Sequence, residues 1–371
     1  MYDVAIVGAG PAGATLARLL GGDLRVLLLE KRRLDAPGGA TRAKCCGGLL
    51  APDAQRALAS LGMSLPQRIL EDPQLFAVRA IDVPAGLERH YPRHYLNADR
   101  ARLERHLVSL VPGRVDVRFG WAFRAAERDG QAFRIVATAG GRRLVEHARL
   151  LVGADGANSA VRRQLPGRGP WPRTYIAVQE WFDAPRPMPY YTAVFDPAVT
   201  DYYAWAIPKD GRLAVGAALR PVRTAMGCFE RLKARLRAMG FDLARPAWRE
   251  ASLLLRPTSA DQLRPAGDGV ALIGEAAGWI SPSSGEGISY ALRSAALLAE
   301  AVRQSPDAPA ARYAALCRGL RANLRLKLLK CPLIYRPALR RALMRSGLGS
   351  LATAATAGPG APAHARSPAM S

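Results

Sequence analysis

The chain has 371 residues, 49% of them hydrophobic, enough for two domains with sizeable cores and too apolar for general disorder. Its formal charge of +23 would suit a nucleic-acid binder, but no helix-turn-helix, zinc finger or RNP-like aromatic pattern accompanies it, so no nucleic-acid partner is expected. The cysteines at 45, 46, 228, 317 and 331 form no Cys-x-x-Cys pair and have no histidine cluster nearby, which argues against a metal site or a disulfide framework and for a reducing cytoplasm. A leader and a membrane span are not expected, since the chain opens on a strand pattern and no apolar run approaches the roughly 20 residues that a bilayer requires.

Residues 2–30 read as strand, glycine turn, helix and second strand. Gly8, Gly10 and Gly13 give the spacing G-x-G-x-x-G. The first permits a tight turn, the second lets a pyrophosphate approach the backbone, and the third lets the helix starting near Pro11 and Ala12 pack on the strand. That helix N-terminus turns free N–H groups and a positive dipole end toward the phosphates. The next apolar strand, 24–29, ends in Glu30, placed to accept hydrogen bonds from a ribose hydroxyl, with Lys31 beside it. The context predicts a dinucleotide site.

Further along, 32–51 is loop-like and holds Lys44-Cys45-Cys46-Gly47-Gly48. A helix is expected over 52–62, strands over 75–83 and 88–91, and a helix over 96–111 with Leu103, Leu107 and Leu110 on one face. Segments 115–119, 133–137 and 143–146 suggest a small antiparallel meander, and 150–153 a separate short buried strand running into GADGANSAVRRQL. From 171 to 219 the pattern becomes aromatic-rich strands, with Pro208-Lys209-Asp210-Gly211 as a hairpin turn. A helix over 228–239, a buried strand over 270–273 and a long helix over 288–303 follow. Two more helices, broken by Pro332 and Pro337, lead to an Ala-, Gly- and Pro-rich tail expected to be disordered. No second G-x-G-x-x-G occurs, so one dinucleotide is held and electrons come from outside.

GAGPAG with Glu30, GADGANSAVR at 153–162 and GEAAGWISPSSGEGISYALRSA at 274–295, in that order, resemble the FAD-binding fold of para-hydroxybenzoate hydroxylase. KCCGG and YYAWAIPKDGRLAVGAA further resemble the cysteine-glycine-glycine motif and proline-lysine hairpin of the geranylgeranyl reductase group, and CCGGLLAPDAQ resembles the bacterial flavoproteins associated with colicin M resistance. The resemblance covers about residues 1–330. It implies an α/β fold with a discontinuous Rossmann-like FAD-binding domain (1–75, 96–165, 256–305), an inserted antiparallel-sheet substrate domain (76–95, 166–255), a basic helical segment (306–350) and the tail (351–371).

The same resemblance implies that Asp155 and Gly156 support the loops around the pyrophosphate and ribityl chain, and that Gly274 and Glu275, where the family usually has Asp, meet the ribityl hydroxyls. It places Gly285, Gly287 and Ile288 in a glycine-rich loop beside the flavin pyrimidine, and Arg100 and Lys44 facing the cofactor. Cys45 and Cys46 become candidate catalytic residues, made reactive by a thiol pKa lowered by Lys44; either could face the flavin, or both could be apolar filler. Tyr203 and Trp205 are candidates for the wall of an apolar substrate cavity, or for plain core. The reaction expected is reduction of carbon–carbon double bonds in a prenyl or lipid-like substrate by FAD, itself reduced by NAD(P)H or another donor. The alternatives are a monooxygenase acting on an aromatic or polycyclic substrate and a non-catalytic flavin protein that binds a lipid or a partner. Tyr313, Leu316, Leu320, Leu324 and Leu328 recur at helical spacing, and no acidic residue follows Asp307. The arginines beside them, with Arg340, Arg341 and Arg345, suggest a peripheral anionic membrane surface on the cytoplasmic side; the other reading is that the stripe is core and the arginines are solvated.

Overall fold

The computed structural model describes residues 1–35, 44–167, 169–184 and 188–351; the expected tail, past Leu351, lies outside the described residues. β1 (Tyr2–Val7), α1 (Pro11–Leu20) and β2 (Val26–Glu30) form the opening β-α-β unit. β2 is buried along its whole length, as befits a parallel strand covered on both faces. α1 starts at Pro11, a first-turn position where the missing N–H would be unpaired in any case.

The next elements are β3 (Leu49–Leu50), α2 (Pro52–Ser60), β4 (Leu75–Asp82), β5 (Leu87–Asn97), α3 (Arg100–Ser109) and β6 (Asp116–Phe119). β7 (Ala122–Asp129), β8 (Ala132–Ala139) and β9 (Arg142–Gly153) are an antiparallel meander. Here the structure corrects the sequence reading. The strand expected over 115–119 pairs with β2 in parallel, outside the meander, and β7 takes its place. The two strands expected over 143–146 and 150–153 are one, β9, whose first half closes the meander while its second half runs parallel to β1.

Then come α4 (Ala160–Gln164), β10 (Arg173–Asp183), β11 (Tyr191–Phe195), β12 (Ala204–Lys209), β13 (Arg212–Leu219), α5 (Ala225–Ala238) and β14 (Trp248–Arg256). β15 (Ala266–Gly267), β16 (Val270–Leu272), α6 (Ile288–Gln304), α7 (Pro309–Leu316), α8 (Arg318–Tyr335) and α9 (Pro337–Ser346) complete the chain.

The first sheet has the order β15-β16-β9-β1-β2-β6, parallel from β16 to β6, with the meander carried on β9. The second has the order β14-β10-β13-β12-β11-β4-β5-β3. It was expected to be antiparallel throughout, but β4 and β11, far apart in the chain, pair in parallel. The second sheet has two unlike faces. Val178, Phe182, Val215 and Leu219 pack on Phe229, Leu232 and Leu236 of α5, where Glu180, fully buried, accepts from Lys233 at 2.8 Å and Arg249 at 2.6 Å. The opposite face carries Tyr175, Gln179, Trp181, Trp205, Ile207, Trp248 and Glu250 and turns toward the first sheet.

The hairpin turn expected at Pro208–Gly211 is present, with Asp210 (φ 44°) and Gly211 (φ 73°) both left-handed. Lys209 reaches back from it to Glu71 (2.5 Å), the Asn97 side chain (2.7 Å) and the Ala98 carbonyl (2.8 Å), tying the hairpin to the chain entering α3.

The C-terminal helices differ from expectation in two ways. A break not expected falls at Cys317, and α8 runs through Pro332 to Tyr335, whose hydroxyl is fixed on the Ser283 carbonyl at 2.6 Å; the break expected at Pro337 is present, and α9 begins there. The stripe Tyr313, Leu320 and Leu324 is buried in the core of the first sheet, with Tyr313 donating to the Leu272 carbonyl (3.1 Å), so this stripe is core. Arg340, expected at a membrane surface, is buried and donates to Asp82 of β4 at 2.8 Å, while Leu351 bridges to His90. Removing one partner of a buried ion pair leaves the other uncompensated, so Arg340→Ala is expected to lower stability by about 3–5 kcal/mol in urea unfolding. Asp82→Ala in the same background should add little. Equal midpoints for wild type and Arg340→Ala would show that the pair does not hold α9.

Candidate functional site

The carboxyl ends of β1, β2, β9 and β16 meet along one edge of the first sheet, where an α/β sheet of this kind binds its ligand. Gly8, at the end of β1, has φ +105°, and a side chain there would meet the Ala154 carbonyl at 2.6 Å. A Cβ on Gly13 would run into the Gly8 carbonyl. Gly10, by contrast, faces open space, with no atom within 4 Å of where its Cβ would be. The first and third glycines therefore close strand against helix, and the second leaves a hollow before the start of α1, the cradle that a pyrophosphate requires.

Glu30 is buried at the end of β2 and accepts from the Ala9 N–H at 2.9 Å, holding the glycine loop. Lys31 is exposed; the basic residue turned onto Glu30 is Arg32, which donates to Glu30 (2.9 and 3.0 Å) and to Glu104 of α3 (2.6 Å). Glu104 also accepts from Arg100 at 2.7 Å, and the Arg100 guanidinium lies 3.8 Å from Cys46 Sγ. A continuous polar run thus joins the nucleotide loop to the cysteine motif. Burial alone would raise the Glu104 carboxyl, but Arg100 and Arg32 together hold it below its ordinary value.

Asp155 spends its carboxylate on its own loop, accepting from Ser159 Oγ (2.5 Å) and the N–H groups of Ala160 (2.7 Å) and Val161 (3.2 Å), with Gly156 left-handed behind it. Burial pushes its carboxyl up against those bonds. Gly274 (φ +57°) rests on Ala12 of α1, and Glu275 accepts from the Leu255 N–H at 2.8 Å and pairs with Lys44. Gly285 (φ +64°) lies below the Tyr203 hydroxyl, which donates to the Ser284 carbonyl at 2.6 Å. Gly287 precedes α6, which starts at Ile288; the Ser289 N–H there is taken by Glu286. Two residues to which the sequence reading gave no role complete the frame. Arg162 is buried and donates to the carbonyls of Gln262 (2.8 Å) and Ala276 (3.2 Å), and Arg256 lies between the rings of Tyr202 (4.2 Å) and Tyr335 (4.1 Å). The partners of Arg162 lie 100 and 114 residues away in the chain, and Tyr335, which meets Arg256, lies at the end of α8, so neither contact can be read from the local sequence.

The cysteine motif passes under the aromatic face of the second sheet. A side chain on Gly47 would crowd the end of Ile207, and one on Gly48 (φ +66°) would strike the Ala98 carbonyl, so Gly48 requires glycine and Gly47 lets the passage lie close under the sheet. Cys45 is buried among Tyr202, Trp205 and Ile207, and burial, reinforced by Glu250, pushes its thiol well up. The expectation of a thiol activated by Lys44 fails for Cys45, because burial outweighs the lowering by Lys44, which is itself paired with Glu275. Cys46 instead borders a cleft of about 630 Å³, with Lys44, Arg100, Trp181, Trp248 and Glu250. Tyr203 and Trp205 are not among the residues that line it. Trp205 is buried, lies flat over Gly216 and donates to Gln179 at 2.8 Å, so it supports the wall, which is formed by the stacked Trp181 and Trp248. Among the described residues no cluster could hold a metal ion.

A glycine cradle before α1, a buried acid at the end of β2 and a second sheet over the cleft fit an FAD-binding oxidoreductase. Residues 1–226 match the family of the FAD binding domain. The chain is 40% identical over 354 residues to Protein CbrA of Escherichia coli O157:H7, covering 94% of this chain and 98% of that protein. It therefore belongs to the FAD-binding family that contains CbrA, the colicin M resistance flavoproteins that the sequence resembles. Among solved structures, a geranylgeranyl bacteriochlorophyll reductase-like protein from Thermoplasma acidophilum matches with a TM-score of 0.71 at 18% identity, covering 94% of this chain and 88% of that one. PqsL of Pseudomonas aeruginosa, a probable FAD-dependent monooxygenase, matches with a TM-score of 0.67 at 20% identity, covering 94% and 99%. These two likenesses are of fold. No helix among the described residues is long and apolar enough to cross a membrane.

Two outcomes are expected. Gly10→Trp fills the open second position of the glycine triad, so the variant should fold with wild-type circular dichroism and purify without the flavin's visible absorbance; a yellow variant would place the pyrophosphate elsewhere. Glu104, depressed in the folded state, contributes stability above its unfolded pKa that is lost as pH falls through the folded one. Glu104→Gln should therefore be less stable than wild type at neutral pH, by about 3 kcal/mol. Its thermal midpoint should also fall less steeply on acidification, and parallel pH profiles would refute the assignment.

Proposed function

We propose that the protein is an FAD-dependent reductase that saturates carbon–carbon double bonds of a prenyl or other lipid-like substrate. The observation that carries this reading is the cleft itself, in which the Cys46 thiol and the Glu250 carboxylate face a stacked tryptophan pair, Trp181 and Trp248, whose rings lie 4.9 Å apart. The fold likeness to the reductase-like Thermoplasma protein supports it. When bound and reduced by NAD(P)H or another donor, FAD supplies two electrons as a hydride.

Saturation needs a hydride on one carbon and a proton on the other. Glu250 suits the proton's delivery, since Gln179 Nε2 (2.7 Å) and Trp181 Nε1 (3.2 Å) both donate to its Oε1 and fix the carboxyl at the cleft wall. Cys46 contributes a polarizable S–H beside Arg100, and the two glycines after it keep the passage narrow. Gly8, Gly10, Glu30, Asp155, Gly274, Glu275 and the 281–287 loop would hold the cofactor. The cleft's cations and the likeness to PqsL favour a second reading, a monooxygenase acting on a polar aromatic substrate.

Anaerobic reduction of the holoprotein, followed by detergent-dispersed prenyl lipid or by oxygen with an aromatic, separates the readings. The lipid alone should reoxidise the flavin. Glu250→Gln and Cys46→Ala should slow that step about tenfold or more, with flavin binding and flavin reduction unchanged. Reoxidation only by oxygen with an aromatic would establish the monooxygenase, and no product from either would leave a binding protein.

A further inference from the structure

The second face of α8 is unlike anything the sequence stripe announces. Leu329 is 75% exposed, the most exposed large apolar side chain among the described residues, and Leu326 and Leu333 are 59% and 47% exposed. At about 100° per residue, Ala322, Leu326, Leu329 and Leu333 fall within an arc of about 60°, on the side of the helix opposite the buried Leu320 and Leu324. The helix therefore presents apolar residues to the core and again to solvent, and a monomer gains nothing from the second set.

Charge decides what the outer face suits. No acidic residue occurs after Asp307. Several cations of this region are turned inward: Arg321 donates to the Leu263 carbonyl at 3.2 Å, Lys327 faces Asp53 at 3.9 Å, and Arg340 is bound to Asp82. Arg318 and Arg325 on one flank of the leucines and Lys330 on the other are exposed, with exposed Arg336 at the helix end. Exposed leucines bordered on both sides by cations make an interfacial surface for an anionic bilayer, with the leucines entering the acyl boundary and the cations meeting the headgroups. A second copy of the chain would bring the same cations against each other.

The helix also touches the site. Tyr335, on its last turn, donates to the Ser283 carbonyl of the 281–287 loop, lies under the Arg256 guanidinium and packs at a tilt against Tyr202, within the aromatic cluster behind the cleft. We propose that α8 lies on an anionic membrane through Leu326, Leu329 and Leu333, with Arg318, Arg325 and Lys330 on the headgroups, and so sets the aromatic end of the site against the bilayer. This gives a lipid-like substrate a route without a spanning helix, and in that respect it rests on the reductase reading.

The test uses full-length holoprotein and vesicles of phosphatidylcholine, alone or with phosphatidylglycerol. Wild type should co-sediment with the anionic vesicles at low salt and much less with the neutral ones. Arg318→Gln/Arg325→Gln/Lys330→Gln should remove the preference for anionic lipid, and Leu326→Ser/Leu329→Ser/Leu333→Ser should weaken partitioning about tenfold or more at every salt concentration. Both variants should retain FAD and the wild-type melting curve. No binding of wild type at low salt, or equal binding by the leucine variant, overturns the proposal. A concentration-dependent dimer that the serine substitutions dissociate, with no vesicle binding, overturns it in favour of a second copy. Reoxidation of reduced flavin by detergent-dispersed lipid reads the substrate separately, so a failure of docking is distinguishable from a failure of the reductase reading.

Discussion

The structure turns on one run of buried charge, from the Ala9 N–H through Glu30, Arg32, Glu104 and Arg100 to Cys46. Each carboxylate in it accepts from two or more donors, and each guanidinium bridges two elements, which is the condition under which buried ions are tolerated. The consequence is geometric. The end of β2, the glycine loop and α3 cannot shift independently, and the cysteine motif is fixed relative to the nucleotide cradle although its chain arrives from a different part of the sequence. Binding at one end and chemistry at the other then share a single rigid reference.

The second sheet is registered to that reference by Lys209 and by the glycines of the cysteine motif. Lys209 makes three short bonds at the entry to α3, so the hairpin cannot lift without leaving a buried ammonium unpaired. Gly47 and Gly48 let the 44–48 passage run closer to Ile207 and Ala98 than any side chain would allow. The proline-lysine hairpin and the glycine pair are therefore two halves of one contact, and each explains the residue types of the other.

What the sequence reveals of this arrangement follows from how local each feature is. The glycine triad, Glu30, the hairpin turn and the helix over 288–303 are legible because their reasons lie within a few residues. Arg32 was missed in favour of Lys31 because only the turn after β2 decides which side chain folds back onto Glu30. The division of β9 between a meander and a parallel sheet leaves no break in its apolar pattern. Arg340 looked free because its acid, Asp82, lies 258 residues away. Trp181 and Trp248 were missed and Trp205 over-weighted for a related reason, since which aromatic reaches the cleft depends on the register of β10 against β14 and on the absence of a side chain at Gly216.

The paired cysteines show how far such reasoning extends. Cys45 and Cys46, adjacent on a chain that passes between a sheet and a cleft, point to different sides, so the pair offers one thiol to each. Cys45 enters the aromatic cluster, where desolvation keeps it a neutral thiol, and its carbonyl accepts from Ser252 Oγ at 3.2 Å, anchoring the passage to β14. Cys46 then has no choice but the cleft, where Arg100 lies close to its sulfur. The first cysteine is thus the anchor and the second the group presented, and the glycines that follow make both placements possible at once.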